Sequence, residues 1–200
     1  MTRIVILIVD ALGHRLAESA GVAAGLLPYR RRVETVLGFS SGALPTLFSG
    51  RPPQEHGRFV MYRRASSGDT PFRGFGALAL LPPRIQRSWK FGRLLHRAVE
   101  RRGVRGYFQL YEVPRAMLAS FDLAERRDLF APGGLGVDTL WDSLERRGIR
   151  WRVWSWRTPE AEALAAVERQ LAAGEEQVLI AYTAELDACL TEGLTWEQPT

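Results

Sequence analysis

One cysteine, one lysine, three histidines and three methionines are all that these 200 residues contain of those types. The solitary Cys189 excludes an intrachain disulfide, and with it the stapled scaffold of a small secreted domain. Long apolar runs are also missing: the N-terminal MTRIVILIVDALG is interrupted at Asp10, too short to span a bilayer, and no small-residue cleavage site follows it. The expected compartment is the cytoplasm. With Lys90 the only lysine, the 27 basic residues are otherwise arginine, interspersed with 22 acidic ones. A formal charge of +5 raises the question of an anionic partner. The runs YRRR (29–32) and ERRG (100–103, 145–148) read as solvated helix ends and faces, and neither a reading helix nor a metal finger is recognisable. The expectation is no nucleic-acid partner and no membrane partner.

What is present is an apolar content of 46%, enough to bury a core. Residues 4–9, IVILIV, form a continuous aliphatic run, which predicts a strand buried on both faces and central in a parallel sheet. VETVLGF (33–39) predicts a second strand and SGALPTLFSG (41–50) a short helix, whose first turn Pro45 leaves open. Residues 51–135 are less regular. Within them Phe91, Leu94, Leu95, Ala98 and Val99 recur at helical spacing in a helix over 89–103, with Gly103 as its stop. A helix at 137–148, a strand at 150–156, a helix at 159–174 and a strand at 177–183 then alternate. That alternation predicts an α/β fold with a mostly parallel sheet and crossover helices.

Three candidate residues fall where strands give way to loops or helices. Asp10 follows the first strand, Ser40 and Ser41 precede a helix, and Asp187 follows the last strand; the carboxyl ends of parallel strands are where ligands bind in such sheets. Two carboxylates and a hydroxyl suit divalent cations that hold a phosphate, and a cation beside a serine favours its alkoxide. Spacing alone leaves two plainer readings open, an aspartate in a turn and a serine that merely caps a helix.

Taken together and in order, VILIVDALG, GFSSGALPTLFSGRPPQEHG and AYTAELD resemble the alkaline phosphatase superfamily, most closely its nucleotide pyrophosphatase and type I phosphodiesterase branch. The resemblance covers residues 4–187. It implies a three-layer α/β/α fold, incomplete at the C-terminus, with residues 1–200 as a single partial domain and 58–135 as a cap-like insertion. It implies a metal-dependent hydrolase of phosphoric esters acting on a small phosphoester or nucleotide-like substrate. Counting back from Ser49 and Gly50 sets the nucleophile at Ser40 rather than Ser41. Two zinc ions are implied in a complete homologue, one held by Asp10 and Ser40 and the other by Asp187. The chain departs from the pattern at Thr191, where a histidine is expected, and its last histidine is His96. A truncated, weakly active or inactive form is therefore expected, with a degenerate, non-catalytic binding module as the alternative. Of the other candidates, His56 is expected to be structural, His14 a loop or surface residue and His96 exposed or half-buried. Trp151, Trp154 and Trp156 are expected to pack in the core, and Cys189 to be a small buried residue.

Overall fold

The computed structural model describes residues 2–22, 25, 29–37, 39–66, 69–110 and 113–191. In chain order the elements begin with β1 (Ile4–Val9), α1 (His14–Ser19), α2 (Ser40–Ser49), α3 (Pro53–His56) and β2 (Tyr62–Arg64). A 3-10 turn (Phe75–Leu80), α4 (Pro83–Gln86), α5 (Trp89–Arg101), a second 3-10 turn (Arg115–Ser120) and β3 (Phe121–Leu123) follow. The last are α6 (Leu140–Arg146), β4 (Trp151–Trp154), α7 (Glu160–Ala173), β5 (Val178–Thr183) and α8 (Glu185–Thr191). The chain divides into two compact units, residues 1–35 with 143–200, and residues 36–142.

The first unit is built on a parallel sheet of order β1-β5-β4, so the molecule is of mixed α/β type. β1 pairs with β5 from Ile4 opposite Val178 to Val9 opposite Thr183, and β4 pairs with the other side of β5 from Trp151 opposite Val178. Flanked on both sides, β5 is buried at all six positions, as its sequence VLIAYT allows. The expectation for β1 is corrected here. Its run is equally apolar, but it is an edge strand among the described residues, and Ile4, Val5 and Leu7 are exposed. A continuous apolar run reports that a strand can be buried, and only its neighbours decide whether it is. The β4-α7-β5 crossover is as the alternation predicts. Val167 of α7 closes over Leu179 and Ala181 of β5, with Trp154 packed beside them. Trp151, Trp154 and Trp156 are half-buried, and the guanidinium of Arg157 lies 4.1 Å from the centroid of the Trp156 ring.

The second unit has its own core. Phe72, Val99, Leu118 and Leu123 are fully buried in one cluster with Phe75, Leu95, Phe108 and Leu110, above the antiparallel pair β2-β3. α5 contributes Leu95 and Val99 from the apolar face that the sequence spacing predicts. The strand expected at 33–39 does not form: residues 33–37 are irregular, Val33 and Leu37 are exposed, and Gly38 lies outside the described residues. β-branched side chains stabilise a strand by packing on a sheet, and here they have none. α2 begins at Ser40, with Pro45 inside it and buried. A second aromatic group joins Phe48 of α2 to Trp141 at 5.0 Å and to Phe130 at 5.3 Å between centroids, and Trp141 Nε1 donates to the Leu129 carbonyl at 2.7 Å. α6 starts later than its sequence pattern suggests. Thr139 and Asp142 form a capping box, the Thr139 amide donating to Asp142 Oδ2 at 2.8 Å and the Asp142 amide to Thr139 Oγ1 at 3.5 Å.

Among the described residues of this unit one ion pair is buried on both sides. Arg58 Nη1 lies 3.5 Å from Glu125 Oε2, with the two side chains 8% and 12% exposed. Arg58 Nη2 also donates to the Gly134 carbonyl, and the Tyr107 amide donates to Glu125 Oε1 at 3.0 Å. Burial pushes the Glu125 carboxyl up, against the pull of these partners. Desolvation therefore consumes much of the attraction, and losing one partner strands the other. Arg58→Ala is expected to lower the unfolding free energy in urea by about 3–5 kcal/mol. Combining Arg58→Met with Glu125→Leu should recover most of it, and a double variant no more stable than Arg58→Ala would show that the pair is not coupled.

Candidate active site

The carboxyl ends of β1 and β5 lie side by side because the two strands are parallel and in register. The ladder continues one residue past β1, with the Asp10 amide donating to the Thr183 carbonyl at 2.9 Å. The chain then turns sharply: Ala11 has φ 59, in the left-handed region, and its amide donates to Asp10 Oδ1 at 3.0 Å. The other carboxylate oxygen, Oδ2, accepts the Tyr182 hydroxyl. Two hydrogen bonds, one from the next residue and one from the neighbouring strand, thus fix the Asp10 side chain at the end of its strand. Asp187 stands in the first turn of α8, the helix that leaves β5. Burial, and after it the charge of Asp10, pushes the Asp187 carboxyl above its ordinary value. The charge of Asp10 is thus felt at Asp187, and a cation beside them would relieve their repulsion.

Two further groups at this rim lie within the AYTAELD segment, although sequence reading singles out neither. Tyr182 is the partner of Asp10, and Thr183 is 2% exposed with its Oγ1 lacking a hydrogen-bond partner among the described residues. A signal is present, since AYT places two hydroxyls at the end of a run otherwise free of polar groups. Glu185 is engaged elsewhere, its Oε1 accepting the Glu160 amide at 3.2 Å at the start of α7. His14 is exposed and 3.5 Å from Glu18, a surface pair on α1. Cys189 is half-buried rather than buried, on α8. Among the described residues no three His, Cys, Asp or Glu side chains gather into a group that would hold a metal ion.

The serine block belongs to the other unit. Ser40 is the first residue of α2, and the position before it, where a capping serine would stand, is occupied by Phe39. The Phe39 carbonyl accepts the amides of Gly42 at 2.8 Å and Ala43 at 3.0 Å. Ser40 is half-buried and stands at the first helical position, one residue after the N-cap. Gly42 lies against backbone: a Cβ there would meet the Leu37 carbonyl oxygen at 2.9 Å. Four residues on, Thr46 Oγ1 donates to the Gly42 carbonyl at 3.0 Å and meets His56 Nε2 at 2.9 Å. His56 Nδ1 accepts the Arg58 amide at 3.2 Å, which sets the tautomer with the proton on Nε2. His56 is thus a buried tie between α3 and α2, the structural role expected of it. His96 is half-buried, stacked on Phe108 at 4.1 Å between centroids.

No protein-family model matches this chain, and no curated protein or solved structure matches it either.

Burial, and after it the charge of Arg58, lowers the His56 imidazole below its ordinary value of 6.5. A histidine held neutral in this way contributes stability above the unfolded value, and that contribution is lost as the pH falls through the folded one. Glu125, pushed up, acts in the opposite sense and is common to the native chain and to a His56→Gln variant. Between pH 7 and pH 5 the urea midpoint of the native chain should therefore fall relative to that of His56→Gln. Parallel pH profiles would remove His56 from the account.

Proposed function

We propose that the chain carries the nucleophile and part of the metal site of a phosphoric ester hydrolase of the phosphodiesterase or nucleotide pyrophosphatase type. The reading includes a three-layer α/β/α fold like that of the alkaline phosphatase superfamily. The observation that carries it is that Asp10 closes β1 while Asp187 stands in the first turn of the helix leaving β5, the parallel neighbour of β1, and that the charge of Asp10 is felt at Asp187. Two carboxylates in one field are a donor set that fits a divalent cation, with water to complete its shell. Bound there, such a cation would polarise a phosphoryl oxygen.

Within this reading Asp10 and Asp187 hold charge, and Tyr182 orients Asp10 through its hydroxyl. Ser40 Oγ attacks phosphorus, the bond from phosphorus to the leaving alcohol breaks, and the departing alkoxide takes the proton that the serine gives up. Water then attacks the seryl ester, restoring the Ser40 hydroxyl and releasing the phosphate product. Thr191, standing where the resemblance implies a histidine, favours the second reading, a binding module of the same fold without catalysis.

Calorimetric titration with zinc or manganese should show binding that Asp10→Asn or Asp187→Asn weakens by at least tenfold. Hydrolysis of a nitrophenyl phosphodiester by the 200-residue chain should be slow, and Ser40→Ala should reduce it to background. Turnover unchanged in Ser40→Ala would overturn the nucleophile, and absence of metal binding would favour the non-catalytic module.

A further inference from the structure

Helix α5 carries a second feature that owes nothing to the serine chemistry. Phe91, Leu95, Ala98 and Val99 face the core of their unit and fix the helix there. On the outer side Lys90, Arg93, Arg97 and Arg101 are all exposed. At about 3.6 residues per turn, their spacing of three, four and four keeps these four cations within about a quarter of the circumference. Trp89, 63% exposed, borders the stripe on one side and Leu94, 56% exposed, on the other. Arg93 Cζ and Lys90 Nζ lie 5.3 and 5.9 Å from the Trp89 ring centroid. The preceding α4 and the turn that follows it add Arg84, Ile85 and Arg87, each exposed. None of these six cations is ion-paired with a carboxylate among the described residues. The one acidic residue between positions 80 and 102, Glu100, is 3.6 Å from His96.

We propose that this face of α5 docks on an anionic phospholipid surface. Cations at this density on one helix face are attracted to acidic headgroups, and an exposed tryptophan among them suits the boundary between headgroups and acyl chains. A nucleic acid would satisfy the cations as well. The aliphatic side chains of Ile85 and Leu94, however, offer nothing to a phosphate backbone, whereas a lipid interface accepts cations and aliphatic groups together. Among the described residues no helix is long and apolar enough to cross a membrane, and docking of this face requires none. Such docking departs from the expectation of no membrane partner, which rests on the missing apolar run.

Sedimentation of the purified chain with phosphatidylcholine vesicles, with and without phosphatidylglycerol, tests it. Binding is expected only with phosphatidylglycerol and should be released by salt. Arg93→Gln with Arg97→Gln should weaken it about 25-fold, from roughly fivefold per cation. Trp89→Ala should weaken it too while leaving salt sensitivity in place. All three positions are exposed, so circular dichroism should show unchanged folding in each variant. No binding to either vesicle, equal binding to both, or binding that the arginine variant leaves unchanged would overturn the proposal. Preferential binding of an oligonucleotide, lost in the same variant, would overturn it in favour of nucleic acid.

Discussion

Ile4–Val9 and Val178–Thr183 are parallel neighbours, and a parallel pair can be made only through a long connection. Everything in the first unit follows from that constraint. β1 has no partner until distant parts of the sequence meet, whereas β5 pairs with β4 through the β4-α7-β5 crossover, onto which β1 adds. Because the strands run the same way and in register, the residues that follow them, Asp10 after one and Asp187 after the other, come out on the same rim. The carboxylate pair is thus a product of strand direction: an antiparallel pairing would have sent the two groups to opposite ends of the sheet.

The same register explains why the rim is stiff on one side. Asp10 extends the ladder through its amide, turns at Ala11, and is held by the hydroxyl of a residue on the neighbouring strand. Asp187 is one turn into a short helix, and no such backbone ladder fixes it. The sheet thus fixes the position of one member of the pair.

Much of this is legible in the sequence, and the misses share a cause. α5, α7, β4 and β5 announce themselves because their patterns depend on nearest neighbours in the chain, through helical spacing or a short apolar run closed by turn residues. Asp10 and Asp187 can be assigned to one rim because the alternation of strands and helices implies parallel strands. β1 reads as central and is not, because its composition reports suitability for burial and says nothing of which strands flank it. The segment at 33–39 fails for the complementary reason: its β-branched residues lack a sheet to pack on. Tyr182 is invisible in the sequence as a partner of Asp10, since a hydrogen bond between residues 172 positions apart leaves no local trace. The structural role of His56 is legible, although its ties to Thr46 and to the Arg58 amide emerge only in three dimensions.

Arginines that look scattered along the chain need not be scattered in space. Between Lys90 and Arg101 their intervals match a helical turn, and the solvent side of α5 collects them. The only lysine of the chain is part of that stripe. Apart from the α-amino group, an amine-directed reagent has one place to react, so a dye, a biotin or a cross-linker coupled this way reports on the outer face of α5 and on no other surface. Coupling to a solid support through amines would cover that same face, and acetylation would cancel one of its charges without touching any other part of the molecule.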